Sequence, residues 1–304
     1  MPPSAPNASA QPPRPALDFA SGHDAFVLLR ARRLHHRGLL PADEITSPAS
    51  LPDPEVTAVI PTLNEAATIA TVIAECRLHV AHVLVVDGGS SDATADLARA
   101  AGARVIRDSG QGKGAALRQA IAHVHTPIVV FVDADGSHDP IDIPLLVAPI
   151  KERRADQAHG SRLLGGSDEL HGGWDEFFRL TGSALITCLI NVRFGVRLSD
   201  SQNGFRAIRT EVFRSLPLRS RHTTIEMELV MSSLAHGYSL AEVPAHERPR
   251  AAGYSKISLA RPGTWLSYGW TLLRGITQPR RLPSVPAVVR DASPLRADRA
   301  VHAA

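Results

Sequence analysis

The sequence predicts an α/β protein built on a doubly wound, mostly parallel sheet with helices on both faces. Short β-branched apolar runs alternate with stretches of helical spacing from Val56 to Lys151. The runs at 83–86 and 128–132 are continuously apolar rather than alternating, the pattern of strands covered on both faces. Three strand ends carry polar, acid-bearing turns: Pro61-Thr62-Leu63-Asn64-Glu65, Asp87-Gly88-Gly89-Ser90 and Asp133-Ala134-Asp135. Doubly wound sheets bind ligands beyond the carboxyl ends of their strands, so these turns converge on one edge and mark a candidate site.

The elements follow in order. A first strand at 56–60 leads into helical spacing at 65–78, and a second strand occupies 83–86. Ser91 or Asp92 caps a helix that runs to Ala101 and stops at Gly102. A third strand at 104–106 precedes a helix over 113–123, and the next strand lies between Pro127 and Asp133. Asp139-Pro140 couples a capping residue to an N-terminal proline and opens a helix to about Lys151. Beyond Gly160 the alternation weakens. Residues 163–176, rich in Gly, Asp and Glu, read as a mobile loop. A C-terminal amphipathic helix over 262–276 carries Trp265, Leu266, Trp270, Leu272, Leu273 and Ile276, and a Pro- and Arg-rich tail after 279 reads as loose.

The 304 residues divide into a Pro/Ala-rich extension at 1–53, with a basic helical segment at 23–38, a domain at 54–259 and the helix and tail at 260–304. Apolar residues make up 44%, enough for a sizeable core. With 33 basic against 30 acidic residues the formal charge is +3, which excludes a nucleic-acid binder defined by bulk charge. Two cysteines, Cys76 and Cys188, form neither a disulfide framework nor a zinc site, and read as reduced core residues of a cytosolic protein. The histidines make no H-E-x-x-H pattern and there is no G-x-S-x-G elbow. The N-terminus does not read as a signal peptide, and the longest apolar run, 180–192, is short of the roughly 20 residues a membrane span needs. A cytoplasmic location, soluble or peripheral at the inner face of a membrane, is the expectation.

Residues i and i+2 of an extended segment project to one side, so Asp133 and Asp135 can face one divalent cation. Their oxygen ligands suit Mg²⁺ or Mn²⁺; two turn-forming aspartates are the plainer alternative. Asp87, followed by glycines, can accept from a ribose or base, and Asn64 and Glu65 end the first strand. Gly110-Gln111-Gly112-Lys113-Gly114 is not a P-loop, because Arg107 and Gly114 stand where Gly and Ser or Thr are required. Lys113 on this turn still suits a phosphate.

Read together and in order, IPTLNEAATI, VVDGGSSDAT, GKGAALRQAI, VVFVDADGSHDP, HGSRLLGG, LSDSQNGFRAIR, TIEMEL and EVPAHERPRAAGYSKIS resemble family 2 glycosyltransferases of the GT-A fold. The resemblance spans about Val56 to Leu259 and is greatest to polyprenyl-phosphate hexose transferases of the dolichol-phosphate mannose or glucose synthase type. It implies metal-dependent, inverting transfer of a hexose from a nucleotide sugar, UDP-hexose or GDP-mannose, to polyprenyl phosphate, with no nucleic-acid partner. Pro61, Thr62, Asn64, Glu65, Asp87 and Gly89 would surround the nucleoside, with Lys113 near the base or diphosphate. Asp133 and Asp135, with Ala134 between them, would hold Mg²⁺ or Mn²⁺ and the diphosphate. Ser137 stands where some relatives place a metal-binding Gln, so water would fill that position.

The same resemblance places Arg162, Arg248 and Lys256 around the donor diphosphate and acceptor phosphate, and Asp200, Gln202, Asn203 and Gly204 on the acceptor side. Glu226 and Glu228 match its acidic helix. Arg162 and Asp200 are the expected catalytic pair, Asp200 acting as base if the acceptor is a hydroxyl; a loop-anchoring acid is the competing role. A soluble transferase with a small or saccharide acceptor, and a non-catalytic nucleotide-sugar-binding protein, are the alternatives.

Overall fold

A computed structural model describes residues 52–168, 174–250, 262–280 and 288–290. The predicted basic helix at 23–38 and Lys256 lie outside the described residues. In chain order the elements begin β1 (Asp53–Thr62), α1 (Ile69–Cys76), β2 (Val80–Asp87), α2 (Thr94–Ala100), β3 (Arg104–Arg107), α3 (Lys113–Ala120) and β4 (Ile128–Phe131). They continue α4 (Ile143–Lys151), β5 (Gln157–Ser161), α5 (Arg162–Gly165), α6 (Trp174–Phe194), β6 (Arg206–Arg209), α7 (Thr210–Ser215), α8 (Ile225–Ala235), β7 (Leu240–Pro244), α9 (Pro262–Ile276) and β8 (Val288–Arg290).

The eight strands form one sheet in the order β3-β2-β1-β4-β6-β5-β7-β8. β1 pairs in parallel with β2 and β4, and β2 with β3, as the sequence predicts. Beyond β4 the sheet is mixed: β6 runs antiparallel to both β4 and β5, while β5, β7 and β8 are parallel to one another. Two expectations are corrected. Within the segment at 163–176 read as a mobile loop, residues 163–165 belong to the helix Arg162–Gly165, Ser167 bridges Glu247, and α6 already begins at Trp174. Within the predicted loose tail, Val288–Arg290 adds a strand to β7.

The continuous apolar runs have a direct cause. Val56, Ala58 and Ile60 of β1 point into one core, with Val83 and Val85 of β2 and Ile128 and Val130 of β4, against α1 and α4. The intervening Val59, Leu84, Val86, Val129 and Phe131 point into a second core against α3, α7 and α8. With both faces covered, the central strand positions are apolar save Thr57, and each large buried side chain contributes about 1.5–3 kcal/mol. A third cluster joins Ile190 and Phe194 of α6 to Met227, Val230 and Met231 of α8, and Tyr268, Leu272 and Ile276 of α9 pack against it.

The helix starts are set by side-chain caps nearly as predicted. Asp139 accepts from Ile141 N and opens a 3₁₀ turn at Pro140–Asp142 ahead of α4. Asp92 accepts from Thr94 N, although Ala93 rather than Asp92 stands at the cap position of α2. Cys76 is buried, and burial, with Glu75 nearby, pushes its thiol up to about 12. Cys188 is exposed, against expectation, because it faces outward from α6. No helix among the described residues is long and apolar enough to cross a membrane.

Candidate active site

The carboxyl ends of β1, β2 and β4 open onto a cavity of about 620 Å³, of the size small-ligand sites commonly have. Pro61, Thr62 and Glu65 line it from β1 and its turn, Lys113 from α3, and Asp133, Ala134 and Asp135 from beyond β4. Asn64, Asp87 and Gly89 are not among its lining residues; they build the turns beneath it. Asn64 adopts a left-handed backbone (φ 54°), which Asn tolerates, and its side-chain oxygen accepts from Ser91 N at 2.8 Å. Asp87 accepts from Ser90 N and Ser90 Oγ, at 3.1 and 2.5 Å. These bonds stitch the β1 and β2 turns together before any ligand arrives.

Lys113 dominates the electrostatics of the floor. Its Nζ lies 2.6 Å from Asp133 Oδ1 and 2.7 Å from Glu226 Oε1 on the first turn of α8. Burial opposes ionisation of Asp133, but the surrounding positive groups, Lys113 foremost, together outweigh it and hold the carboxyl at about 2. Burial likewise lowers the Lys113 ammonium, yet Asp133 and Glu226 together raise it above its ordinary value. The approach depends on Gly204: a Cβ there would lie 2.8 Å from Lys113 Nζ and 3.2 Å from Asp133 Oδ2. Gly114 permits a second close approach, because a Cβ there would meet Ser220 O at 2.3 Å. The loop from Ser220 to Thr224 thereby closes onto α3 and brings His222, Thr223 and Thr224 into the cavity wall.

Behind the acids, His138 stacks on Phe205 with ring centroids 4.9 Å apart and accepts from Asp133 N at 3.0 Å through Nδ1. Burial keeps this imidazole below its usual pKa, which fits a neutral ring with Nδ1 as acceptor. Asp135 accepts from Ser137 N and Ser137 Oγ at 3.1 and 2.7 Å, and Arg250 Nε lies 3.5 Å from its other oxygen. Ser137 therefore braces Asp135. Among the described residues no cluster of three His, Cys, Asp or Glu could hold a metal by itself. Two carboxylates on one cavity wall nevertheless fit Mg²⁺ or Mn²⁺ that takes its remaining oxygens from phosphate and water, as Mg²⁺ habitually does.

The residues expected on the acceptor side occupy different places. Arg162, the first residue of α5, donates to both oxygens of Asp200, through Nε at 2.6 Å and Nη2 at 3.1 Å, and reaches Glu247 at 3.5 Å. Asp200 is buried and also accepts from Gln202 N at 3.0 Å. Burial disfavours its charge, but Arg162 holds it below the usual carboxylate range. Asp200 is thus held ionised by Arg162, the arrangement of the loop-anchoring acid that the sequence offered beside the base role. Gln202 donates to Ser201 Oγ at 3.0 Å. Arg248 ties Glu75 of α1 to Asp139, at 2.8 and 2.6 Å. None of Arg162, Asp200, Gln202 or Arg248 lines the cavity.

Arg250, His222, Thr223 and Tyr268 do line it, and were not singled out from the sequence. Arg250 stands two residues past Arg248 in the motif EVPAHERPRAAGYSKIS, so the signal was present there. Tyr268 arrives from α9, its hydroxyl 3.2 Å from Thr223 Oγ1, a meeting no local pattern announces. Glu228 proves structural: it accepts from Arg219 N and Ser220 N, at 3.0 and 2.7 Å, and pairs with Arg274 of α9.

Residues 57–216 match the family model described as glycosyl transferase family 2. The chain is 35% identical over 206 residues to glycosyltransferase AglJ of Haloferax volcanii, covering 67% of this chain and 66% of that protein. It is 32% identical over 222 residues to polyprenol monophosphomannose synthase of Mycolicibacterium smegmatis, covering 66% and 80%. Among solved structures it resembles glucosyl-3-phosphoglycerate synthase from Mycobacterium tuberculosis, crystallised with Mn²⁺, UDP-glucose and phosphoglyceric acid. That likeness has a TM-score of 0.59 at 27% identity and covers 74% of this chain and 81% of that one.

Proposed function

The chain belongs to glycosyl transferase family 2, a hexosyltransferase on the GT-A architecture, and we propose that it moves a hexose from a nucleotide sugar to polyprenyl phosphate with Mg²⁺ or Mn²⁺. The observation that carries the reading is the pairing of Asp133 and Asp135 with the cations Lys113 and Arg250 in one cavity at the strand ends. A nucleoside diphosphate is an anion with oxygens to share, and this wall offers carboxylates for a bridging cation beside two cationic side chains. The Mn²⁺ and UDP-glucose bound by the M. tuberculosis synthase support a metal and a nucleotide-sugar donor. The M. smegmatis relative, a polyprenol monophosphomannose synthase, supports a polyprenol-linked acceptor.

In this reading Asp133 and Asp135 hold the cation, whose chemistry is to neutralise charge on the departing diphosphate. Lys113 and Arg250 add fixed positive charge where the nucleoside diphosphate leaves. Pro61, Thr62 and Glu65 form the wall along the nucleoside. An oxygen of the acceptor phosphate attacks the anomeric carbon in line, that carbon's bond to the diphosphate breaks, and the configuration inverts. The acceptor phosphate is already ionised near neutral pH and needs no base, which agrees with the anchoring role of Asp200. A phosphorylated soluble acceptor is the second reading, favoured by the phosphoglyceric acid bound to the M. tuberculosis synthase.

The test is label transfer from separate UDP-glucose, UDP-N-acetylglucosamine and GDP-mannose pools, with Mg²⁺ or Mn²⁺, to polyprenyl phosphate or to phosphoglycerate. Metal-dependent label extracted into the organic phase is the expected result and names the donor. Label appearing only in water, in the phosphoglycerate arm, overturns the lipid acceptor in favour of the second reading.

A further inference from the structure

From the ends of β2 and β3 the cavity is lined by Val86, Gly88, Asp108 and Gly110, and Asp108 is the one charged residue of these four. Asp87, which the sequence offered for a base or ribose, is bonded to Ser90 and lies outside the lining. Asp108 N donates to Asp87 O at 2.9 Å, which seats the residue at the end of β3. Its Oδ1 accepts from Gly110 N at 2.5 Å, which fixes the carboxylate. A Cβ on Gly88 would lie 3.7 Å from that same oxygen and 3.7 Å from Leu63 Cβ. Asp108 and Leu63 therefore flank Gly88. A Cβ on Gly110 would meet Gly88 O at 3.6 Å, so the two glycines face each other and their missing side chains leave a slot.

The slot stands well away from Asp133. The strand order β3-β2-β1-β4 sets three inter-strand steps between the ends of β3 and β4, about 14 Å at the usual spacing. A diphosphate, a ribose and a base laid end to end bridge such a gap. With the phosphates at Asp133, Asp135 and Arg250, the base reaches Leu63, Gly88 and Asp108. A carboxylate accepts hydrogen bonds and donates none, which sorts the bases by their edges. Guanine presents two neighbouring donors, N1–H and N2–H, that match the two oxygens of one carboxylate. Uracil offers a single N–H between two carbonyl oxygens that a carboxylate repels. Adenine and cytosine each set a ring-nitrogen acceptor beside their amine. Each carboxylate oxygen has two lone pairs, so Oδ1 can hold Gly110 N and still accept from a base. Leu63, 41% exposed, offers an apolar side chain to the ring. We propose that Asp108 reads the donor's base and selects a guanine nucleotide, its two oxygens accepting from guanine N1–H and N2–H.

This inference deepens the nucleotide-sugar reading and rests on it, but its test needs neither acceptor nor turnover. The full chain is titrated in a calorimeter with GDP, inosine diphosphate and UDP, each with Mn²⁺. GDP should bind about tenfold more tightly than either of the others; inosine diphosphate differs from it only in lacking the N2 amine. Asp108→Asn keeps an oxygen for Gly110 N but sets an amide in place of one acceptor, and circular dichroism checks its fold. This variant should bind GDP about tenfold more weakly than the parent, with UDP nearly unchanged and the preference over inosine diphosphate gone. Equal weakening of all three nucleotides assigns Asp108 to loop structure and overturns the proposal. UDP bound as tightly as GDP by the parent overturns it too, yet leaves the nucleotide-sugar reading in place. If none of the three binds with Mn²⁺, the donor reading itself falls and the proposal falls with it.

Discussion

The ammonium of Lys113 sits 2.6 Å from the carboxylate of Asp133, so the first acid of the strand-end pair already has a cation on it within the cavity floor. Glu226 holds the same ammonium from the other side at 2.7 Å. This pattern recurs. Arg162 is shared by Asp200 and Glu247, and Arg248 by Glu75 and Asp139. Three cations expected to meet phosphate are each turned to two acids, but only Lys113 does so where a donor would bind. Its pairing therefore couples the stability of the domain to the occupancy of the site.

Replacing Lys113 by Met should show that coupling. Asp133 and Glu226 would be left facing one another without a counter-charge, and removing one partner of a buried pair costs about 3 kcal/mol. Thermal unfolding should drop by several degrees, and transfer should fall by about 10²-fold per folded molecule, as when one fixed charge-stabilising donor is lost. A variant as stable as the parent would show that the two acids do not depend on Lys113.

The sequence made the first half of the sheet legible because β1, β2 and β4 are covered on both faces and so are apolar through most of their length. It also displayed the three turns that supply Pro61, Thr62, Glu65, Asp133 and Asp135 to the cavity. The second half was hidden because polar side chains do the packing. β5 reads Gln157-Ala158-His159-Gly160-Ser161, all buried, and β6 carries Arg206, buried and bonded to Glu226 O and Asn203 O. Glu242 on β7 lies buried 3.5 Å from His159. Hydrophobic periodicity finds strands that bury carbon, and it is blind to strands that bury polar side chains. Arg248 and Arg250 illustrate the same limit at the site. Both stand in one motif, and only the fold shows that Arg250 reaches the cavity while Arg248 is spent on Glu75 and Asp139.

Asp135→Ala should separate chemistry from folding. The bonds it would lose, from Ser137 N and Ser137 Oγ and the 3.5 Å pairing with Arg250, lie within one part-buried turn at the cavity wall, and the hydrophobic core is untouched. The unfolding temperature should stay within a few degrees of the parent, while metal-stimulated transfer falls by about 10²-fold or more. Parent-like activity at any Mg²⁺ or Mn²⁺ concentration would remove Asp135 from the metal assignment.

Arg248→Ala should behave as a lost tether. The guanidinium joins α1 to the start of α4 through Glu75 and Asp139, and Asp139 also caps the 3₁₀ turn. Losing charged hydrogen bonds that are partly solvated should cost about 1.5–3 kcal/mol in urea unfolding, with KM for the acceptor unchanged. A raised acceptor KM in a variant of undiminished stability would return Arg248 to the acceptor site.

Asp200 should appear as a stability term that acid removes. Both its oxygens are bonded by Arg162, and that contact, against the opposing effect of burial, sets its folded pKa below the ordinary value near 3.9. Above about pH 4 the carboxylate is ionised in both folded and unfolded chains, and the full stabilisation is present. As pH falls below that value the unfolded chain takes up a proton the folded chain refuses, so stability declines until the folded carboxyl is itself protonated. Asn at this position can still accept from Arg162 but carries no charge and titrates no proton. The Asp200→Asn variant should therefore be less stable than the parent by about 2 kcal/mol at pH 7, with a deficit that narrows steadily as the pH is lowered from about 5 toward 2. Urea unfolding at a series of pH values measures that difference directly. A deficit that stayed constant across the acid range would mean that Arg162 does not depress Asp200, and that the pair stabilises the fold by shape alone.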